Sequence, residues 1–96
     1  MELLPESLKE KIPTLYSTES LSDPTIWVKY FHRSSNWTWY VQEYDPENRL
    51  FFGLVCGFEK ELGYFSLDEL LSVSEIERDL YFTPKPLSDV KKEVGY

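Results

Sequence analysis

The sequence contains few of the residues from which catalytic and metal-binding sites are usually built. Its 96 residues include one cysteine, Cys56, and one histidine, His32. A single cysteine cannot form an internal disulfide, and one His with one Cys cannot make a structural zinc site. A nucleophilic triad needs a base held beside its nucleophile, and no spacing in the chain indicates one. We therefore predict a surface histidine, a buried inert cysteine, no bound metal and no cofactor.

Basic residues and long apolar runs are also scarce. Ten Lys and Arg stand against 17 Asp and Glu, which gives a formal net charge of −7. Duplex DNA or RNA binding depends on cations that neutralise phosphates, so duplex nucleic acid is not an expected partner. No segment approaches the roughly 20 apolar residues that span a bilayer, and the first residues do not have the pattern of a signal peptide. We expect no membrane partner and a cytoplasmic location.

Carboxylates are abundant, but their spacing is not diagnostic of a cation site. Those near the predicted strands and turns are Glu43, Asp45, Glu47, Glu59 and Glu61. A magnesium cluster would draw its ligands from such oxygens. Turns that contain Asp and Glu are more often simply solvated, and we favour that interpretation here.

Aromatic residues make up 17% of the chain and provide its core-forming material. Each aromatic side chain buries roughly 150–250 Å², which suits a small domain without disulfides. The central stretches 37–44 and 50–58 are predicted to be strands joined by a turn over 45–49. In the first of them we expect Trp37, Trp39 and Val41 to face the core. Its other face is expected to be half exposed and carries Thr38, Tyr40, Gln42 and Tyr44.

Other local patterns complete the predicted fold. Alternation predicts strands over 26–32 and 76–82, with Ile26, Val28 and Tyr30 on one face. Helices are predicted over 6–11 and, after the capping box at Ser66, over 67–71. We expect a loop over 14–24 anchored by Leu15, Tyr16 and Leu21. Gly53 and Gly57 are expected to mark a bulge or a close backbone approach, and Gly63 a turn.

These elements together predict one α+β domain over 1–96. Its sheet is expected to be mostly antiparallel, with about four strands, and the two short helices are expected to cover one face. The tail over 87–96 is charged. It either forms a single helical turn capped by Ser88 or is loose.

Several of these stretches resemble a bacterial family known as domain of unknown function 2958. They are SNWTWY at 35–40, EYDP at 43–46, LFFGLV at 50–55, GFEKELGYFSL at 57–67 and IERDLYF at 76–82. The resemblance covers nearly the whole chain. It implies an accessory protein of plasmids, integrated conjugative elements and phages. The family has no assigned reaction, so the resemblance supplies no catalytic residue.

Protein binding is the function that the sequence favours. An acidic surface with clustered aromatics suits docking on a basic site of a host or defence protein, and tyrosines are enriched where interface binding energy concentrates. Tyr30, Tyr40, Tyr44 and Tyr64 are expected to be exposed. The candidate partner-binding residues are Tyr30, Tyr40, Tyr44, Asp45, Glu47, Glu59, Glu61, Tyr64 and Arg78.

Arg78 has two interpretations. We favour a buried Arg78 paired with Glu59 or Glu61, and the alternative is an arginine in a binding cleft. Two other functions stay open, namely single-stranded nucleic-acid binding through sheet aromatics and an enzyme that uses carboxylates beside Arg78. Homodimerisation is also left open, through strand 26–32 if it lies at a sheet edge.

Overall fold

The computed structural model describes all 96 residues and shows an α+β fold, as predicted. Five strands form one antiparallel sheet in the order β5-β4-β3-β2-β6, and β1 pairs with β7 in a second, two-stranded sheet. None of the three helices has the length and hydropathy that a membrane-spanning helix requires. The elements in chain order are α1 (Glu6–Lys9), β1 (Thr25–Ile26), β2 (Val28–His32), β3 (Thr38–Asp45), β4 (Leu50–Cys56), β5 (Lys60–Ser66), α2 (Leu67–Leu71), β6 (Ile76–Arg78), β7 (Lys85–Pro86) and α3 (Leu87–Val94).

The first face of the large sheet is covered by the N-terminal segment and α2, as predicted. Ser66 caps α2 by accepting a hydrogen bond from the Glu69 N–H at 3.3 Å. Leu67 and Leu70 are the buried residues of α2, whereas Leu71 is exposed. The buried residues of this side are Leu3, Ile12, Val28, Tyr30, Val41, Tyr44, Phe51, Leu67, Leu70 and Ile76.

The second face is covered by α3, so the prediction of a single turn or a loose tail is wrong. Leu87 and Val90 are buried there against Ile26, Tyr40 and Leu54. Their spacing with Val94 places apolar side chains on one side of a helix that is otherwise charged. Pro86, not Ser88, occupies the N-cap position, and Gly95 ends the helix with φ +74°.

The predicted strand over 26–32 divides at Trp27. Ile26 packs in the second core, whereas Val28 and Tyr30 pack in the first. The expectation that all three share a face is therefore wrong. β2 lies between β3 and β6, so it is not the sheet edge through which homodimerisation was considered.

A β-bulge interrupts β3 at Gln42. Val41 pairs with Gly53, but the next paired residues are Glu43 and Phe52, so Gln42 is an extra residue. Because of this shift, Tyr44 lies on the same face as Val41 and not on that of Tyr40. The close backbone approach predicted at Gly53 is confirmed, since a Cβ there would lie 1.8 Å from the Tyr40 carbonyl oxygen.

Two predicted boundaries are wrong near the ends of strands. Gly63 lies inside β5, and the turn from β4 to β5 is made by residues 57–59. β6 ends at Arg78 and does not continue to 82. The chain turns there because Asp79 accepts a hydrogen bond from the Tyr81 N–H at 2.9 Å.

The contact between Asp23 and Ser88, which holds the start of α3, depends on the ionisation of the Asp23 carboxylate. Asp23 accepts hydrogen bonds from the hydroxyl and the N–H of Ser88 at 2.6 and 2.9 Å, and they lower the pKa of Asp23. A carboxylate with a depressed folded pKa stabilises above its unfolded pKa of about 3.9, and the stabilisation is lost as the pH falls through the folded value. We expect Asp23→Ala to lower the melting temperature at pH 7, with a smaller difference from the wild type at pH 3. A difference that is constant between these pH values would contradict this role.

Candidate functional site

Three of the four tyrosines predicted to be exposed are fully buried. Tyr30, Tyr40 and Tyr44 lie inside because both faces of the sheet are covered. The Tyr30 hydroxyl donates to the Leu3 carbonyl at 2.8 Å, and burial raises its pKa. The prediction of exposure is wrong for these three and confirmed for Tyr64. Tyr30, Tyr40 and Tyr44 contribute to the core.

Arg78 does not pair with Glu59 or Glu61. It lies on β6 at one end of the sheet, whereas Glu61 lies on β5 at the opposite end. Its Nε donates to the Glu2 carbonyl at 3.3 Å. The favoured pairing is wrong, and Arg78 holds the N-terminal segment against β6.

Asp45 and Glu47 form the turn between β3 and β4. Asp45 accepts hydrogen bonds from the Asn48 side chain at 2.8 Å and from the Glu47 N–H at 3.0 Å. The bond from Asn48 is the main reason that the pKa of Asp45 is lowered. Both residues belong to a self-contained turn. Across the whole chain, no three His, Cys, Asp or Glu side chains converge as metal ligands would.

Sequence reasoning missed the buried contact between Glu43 and Thr18. Glu43 is 2% exposed, and its carboxylate accepts hydrogen bonds from the Tyr16 N–H at 2.9 Å, the Thr18 N–H at 3.0 Å and the Thr18 hydroxyl. Gln42 also donates to the Thr18 hydroxyl at 3.0 Å. Thr18 is therefore the buried side chain that anchors the loop over 14–24, whereas the side chains of Tyr16 and Leu21, which were expected to anchor it, are exposed. The bulge is the cause, because it places Gln42 and Glu43 on the same face of β3.

A cleft of about 430 Å³ opens on the second face beside β5. The loop forms one wall, and α3 contributes Leu87 and Lys91. The neighbouring Tyr16 side chain raises the pKa of the Tyr64 hydroxyl at the cleft mouth. Both Glu43 oxygens already accept bonds from the loop, so this carboxylate positions the wall. The lining residues are Tyr16, Thr18, Glu19, Leu21, Ser22, Pro24, Gln42, Glu43, Phe52, Leu62, Tyr64, Leu87 and Lys91.

The first face carries a different feature near the turn from β4 to β5. Phe58 is 95% exposed, and its ring stands edge-on to Trp37 with the centroids 5.4 Å apart. The Trp37 ring lies over Gly57, where a Cβ would approach it to 2.3 Å. Glu59 and Glu61 lie on the rim of the hollow formed by these rings and Val55. We call Trp37, Val55, Phe58, Glu59 and Glu61 the aromatic–acidic patch.

The two tryptophans expected in the core are only half buried. Trp39 packs against the first core, and Trp37 stacks on it with a centroid distance of 5.9 Å. Trp37 thereby extends the core outward to Phe58. The sequence signal that could have located the patch is Gly57-Phe58-Glu59, in which a glycine that favours a turn precedes an aromatic residue and a carboxylate.

The electrostatic character of the patch follows from where the basic residues lie. Three of the basic residues in or beside the large sheet are each paired with a carboxylate. These pairs are Lys29 with Asp79 at 3.8 Å, Arg33 with Glu77 at 3.1 Å and Arg49 with Asp68 at 2.8 Å. Lys60 follows Glu59 in sequence, but alternation along β5 directs it to the second face. The aromatic rings and two exposed carboxylates together suit a cationic side chain.

Comparison with known proteins gives a family and no assigned activity. No curated protein and no solved structure matches the chain. A family model described as "Protein of unknown function (DUF2958)" matches residues 3–93, which is nearly the full length. The chain therefore belongs to the family of proteins of unknown function DUF2958.

Proposed function

We propose that this protein is a binding module that docks a basic segment of another protein on its aromatic–acidic patch. The observation that carries the proposal is Phe58, which is 95% exposed yet held edge-on against Trp37 beside Glu59 and Glu61. An aromatic ring positioned in this way offers its apolar surface to a partner without first having to be ordered. Aromatic anchors of this kind dominate the energetics of many protein interfaces.

Arginine is the side chain that the patch suits best. A guanidinium group can stack on an aromatic ring while its N–H groups donate to a carboxylate, and an ammonium group cannot do both in the same planar way. Trp37 and Phe58 supply the rings, and Glu59 and Glu61 supply the acceptors. We therefore expect arginine-containing segments to bind more tightly than lysine-containing ones.

The net charge of −7 supports the same function over a longer range. Complementary charge speeds the encounter of two proteins and rejects partners of the same sign. The resemblance implies an accessory protein of mobile elements, and for such a protein the proposed partner is a basic site on a host or defence protein in the cytoplasm. A site that normally holds nucleic acid has the required positive charge.

A peptide titration tests the proposal. A short Arg-Ala repeat peptide is added to the protein, and tryptophan fluorescence is followed at low and at high salt. We expect saturable binding that weakens with salt, and we expect Phe58→Ala to weaken it about tenfold, or about 1.4 kcal/mol. Tyr81→Ala is the matched control, because Tyr81 is also an aromatic residue with 94% exposure but is not part of the patch. A flat titration, or equal losses in the two variants, would refute docking at the patch.

Single-stranded nucleic acid is the alternative ligand, since the exposed Trp37–Phe58 ring pair could also stack on bases. Glu59 and Glu61 beside those rings would repel phosphates, and no basic residue belongs to the aromatic–acidic patch. An oligonucleotide in place of the peptide distinguishes the two ligands. If the oligonucleotide bound more tightly than the peptide at low salt, the alternative would be favoured.

A further inference from the structure

The two edges of the large sheet are protected very differently. β6 is three residues long, and the N-terminal segment covers it through hydrogen bonds from the Arg78 N–H to Met1 Sδ and from Arg78 Nε to the Glu2 carbonyl. β5 is seven residues long and contains no proline and no bulge. Exposed edges in natural sheets are usually short, bulged, covered, charged or interrupted by proline. Of these forms of protection the β5 edge has only charged side chains, Lys60 and Glu61, which are its first two residues.

The unpaired backbone groups of β5 can be identified from its register with β4. Gly57 N–H donates to the Glu59 carbonyl at 2.9 Å, and Leu67 N–H donates to the Arg49 carbonyl at 3.0 Å. These two bonds show that the odd-numbered residues of β5 bond to β4, because bonded and non-bonded pairs alternate in an antiparallel ladder. The N–H and C=O groups of Lys60, Leu62 and Tyr64 therefore point away from the sheet. No other segment bonds to them.

We propose that two copies of this chain associate through antiparallel pairing of β5 with β5, centred on Gly63. Leu62 of each copy then lies opposite Tyr64 of the other, and both have outward-pointing backbone groups that can exchange hydrogen bonds. Gly63 faces its own copy at the two-fold axis as a non-bonded pair. This is the register in which all seven residues of β5 find an opposite residue, and the two sheets become one continuous sheet.

The side chains are self-complementary in this register. Leu62 and Tyr64 are 39% and 51% exposed, and each covers the other across the axis on the second face. Tyr16 and Leu21 continue the apolar surface beside them. On the first face Glu61 lies opposite Phe65, and Lys60 on the second lies opposite Ser66, so no like charges oppose one another. A shift that centred the pair on Glu61 would bring the two Glu61 carboxylates together, which is destabilising.

Phe58 and Glu59 lie outside the paired span, so both copies keep these parts of the aromatic–acidic patch accessible. The dimer would then present two patches, which raises the apparent affinity for a partner with two basic segments. Dimerisation through β5 and binding of a basic peptide to the patch should depend on salt in opposite directions. Salt screens the repulsion between two chains of charge −7 and strengthens the dimer, but it weakens binding to a basic peptide.

Sedimentation velocity of the full chain over a range of concentrations, at low and high salt, tests the dimer. We expect the mass to rise to twice that of the chain as the protein concentration increases. In high salt this rise should occur at a lower protein concentration than in low salt. Leu62→Pro removes an outward-pointing N–H that does not bond to β4. It should raise the dissociation constant of the dimer at least tenfold. Tyr64→Glu should do the same through like charge, and Tyr81→Glu is its matched control.

A wild-type chain that stays monomeric under all of these conditions would overturn the proposal. So would a dimer that persists in both Leu62→Pro and Tyr64→Glu, because it would have to use another surface. The test is independent of the proposed function. Phe58→Ala should leave the dimer unchanged, and Leu62→Pro should still bind the Arg-Ala peptide.

Discussion

Gly53→Ala is expected to lower the free energy of unfolding by about 3 kcal/mol or more, or to prevent folding. A Cβ at this position would lie 1.8 Å from the Tyr40 carbonyl oxygen and 3.2 Å from the Gln42 amide nitrogen. These are backbone atoms at the bulge of β3, so no side-chain rotation can relieve the overlap. β3 and β4 would have to separate where the two central strands pair.

Gly63→Ala is the matched control, because Gly63 lies in the adjacent strand and pairs with Gly53 itself. No atom lies within 4 Å of a Cβ built there. Replacing a strand glycine without a clash should stabilise by about 0.5–1 kcal/mol, since the unfolded chain loses freedom. Urea unfolding of both variants measures the difference. Similar free energies for the two variants would show that the bulge does not require glycine.

Glu43→Ala is expected to lower the free energy of unfolding by about 3 kcal/mol, which is the second-largest effect we expect. The change leaves the Tyr16 N–H, the Thr18 N–H and the Thr18 hydroxyl without their acceptor. Glu43→Gln should lower the free energy of unfolding by less than Glu43→Ala, because the glutamine side chain keeps one oxygen that accepts a hydrogen bond. The glutamine NH₂ group would face one of the loop donors, so some stability should still be lost.

The Glu43 variants are measured by urea unfolding together with hydrogen exchange at the Tyr16 and Thr18 amides. Both amides should exchange faster in Glu43→Ala even where the sheet remains protected. Glu47→Ala removes a carboxylate from an exposed turn and should change stability by less than about 0.5 kcal/mol. Unchanged amide exchange in Glu43→Ala would mean that the loop over 14–24 is held by other contacts.

Local chemistry made much of the fold predictable from sequence. The Ser66 cap needs only a Ser and the Glu69 N–H three residues on, and the apolar β4 strand has the composition of a strand covered on both faces. Such features depend on neighbours in sequence. The α+β class and the cover of the first face followed from them.

The errors arise where distant parts of the chain decide the outcome. Gln42 looks like any strand residue, and only pairing with Gly53 and Phe52 makes it the extra residue that turns Tyr44 inward. α3 forms on the second face because Leu87 and Val90 find Tyr40 and Leu54 there, although its sequence is mostly charged. Once α3 covers that face, the expected exposure of Tyr40 is lost.

At the aromatic–acidic patch, too, features set by sequence neighbours were predictable and features set by distant contacts were not. Glu59, Glu61 and Tyr64 were named among the candidate partner-binding residues, and all three are exposed. Phe58 was assigned to a strand and was not singled out, because its exposure depends on the turn made by residues 57–59. The assignment of Arg78 to Glu59 or Glu61 failed because sequence does not give strand order, and these residues lie at opposite ends of the sheet.

The indole N–H resonances of the three tryptophans provide the most direct measurement of docking at the aromatic–acidic patch. Trp37 belongs to the patch, whereas the Trp27 indole nitrogen is buried without a hydrogen-bond partner. During titration with the Arg-Ala peptide, we expect the Trp37 resonance to shift saturably while that of Trp27 stays in place. A Trp37 resonance that does not move while the peptide binds would show that basic segments are recognised elsewhere on the molecule.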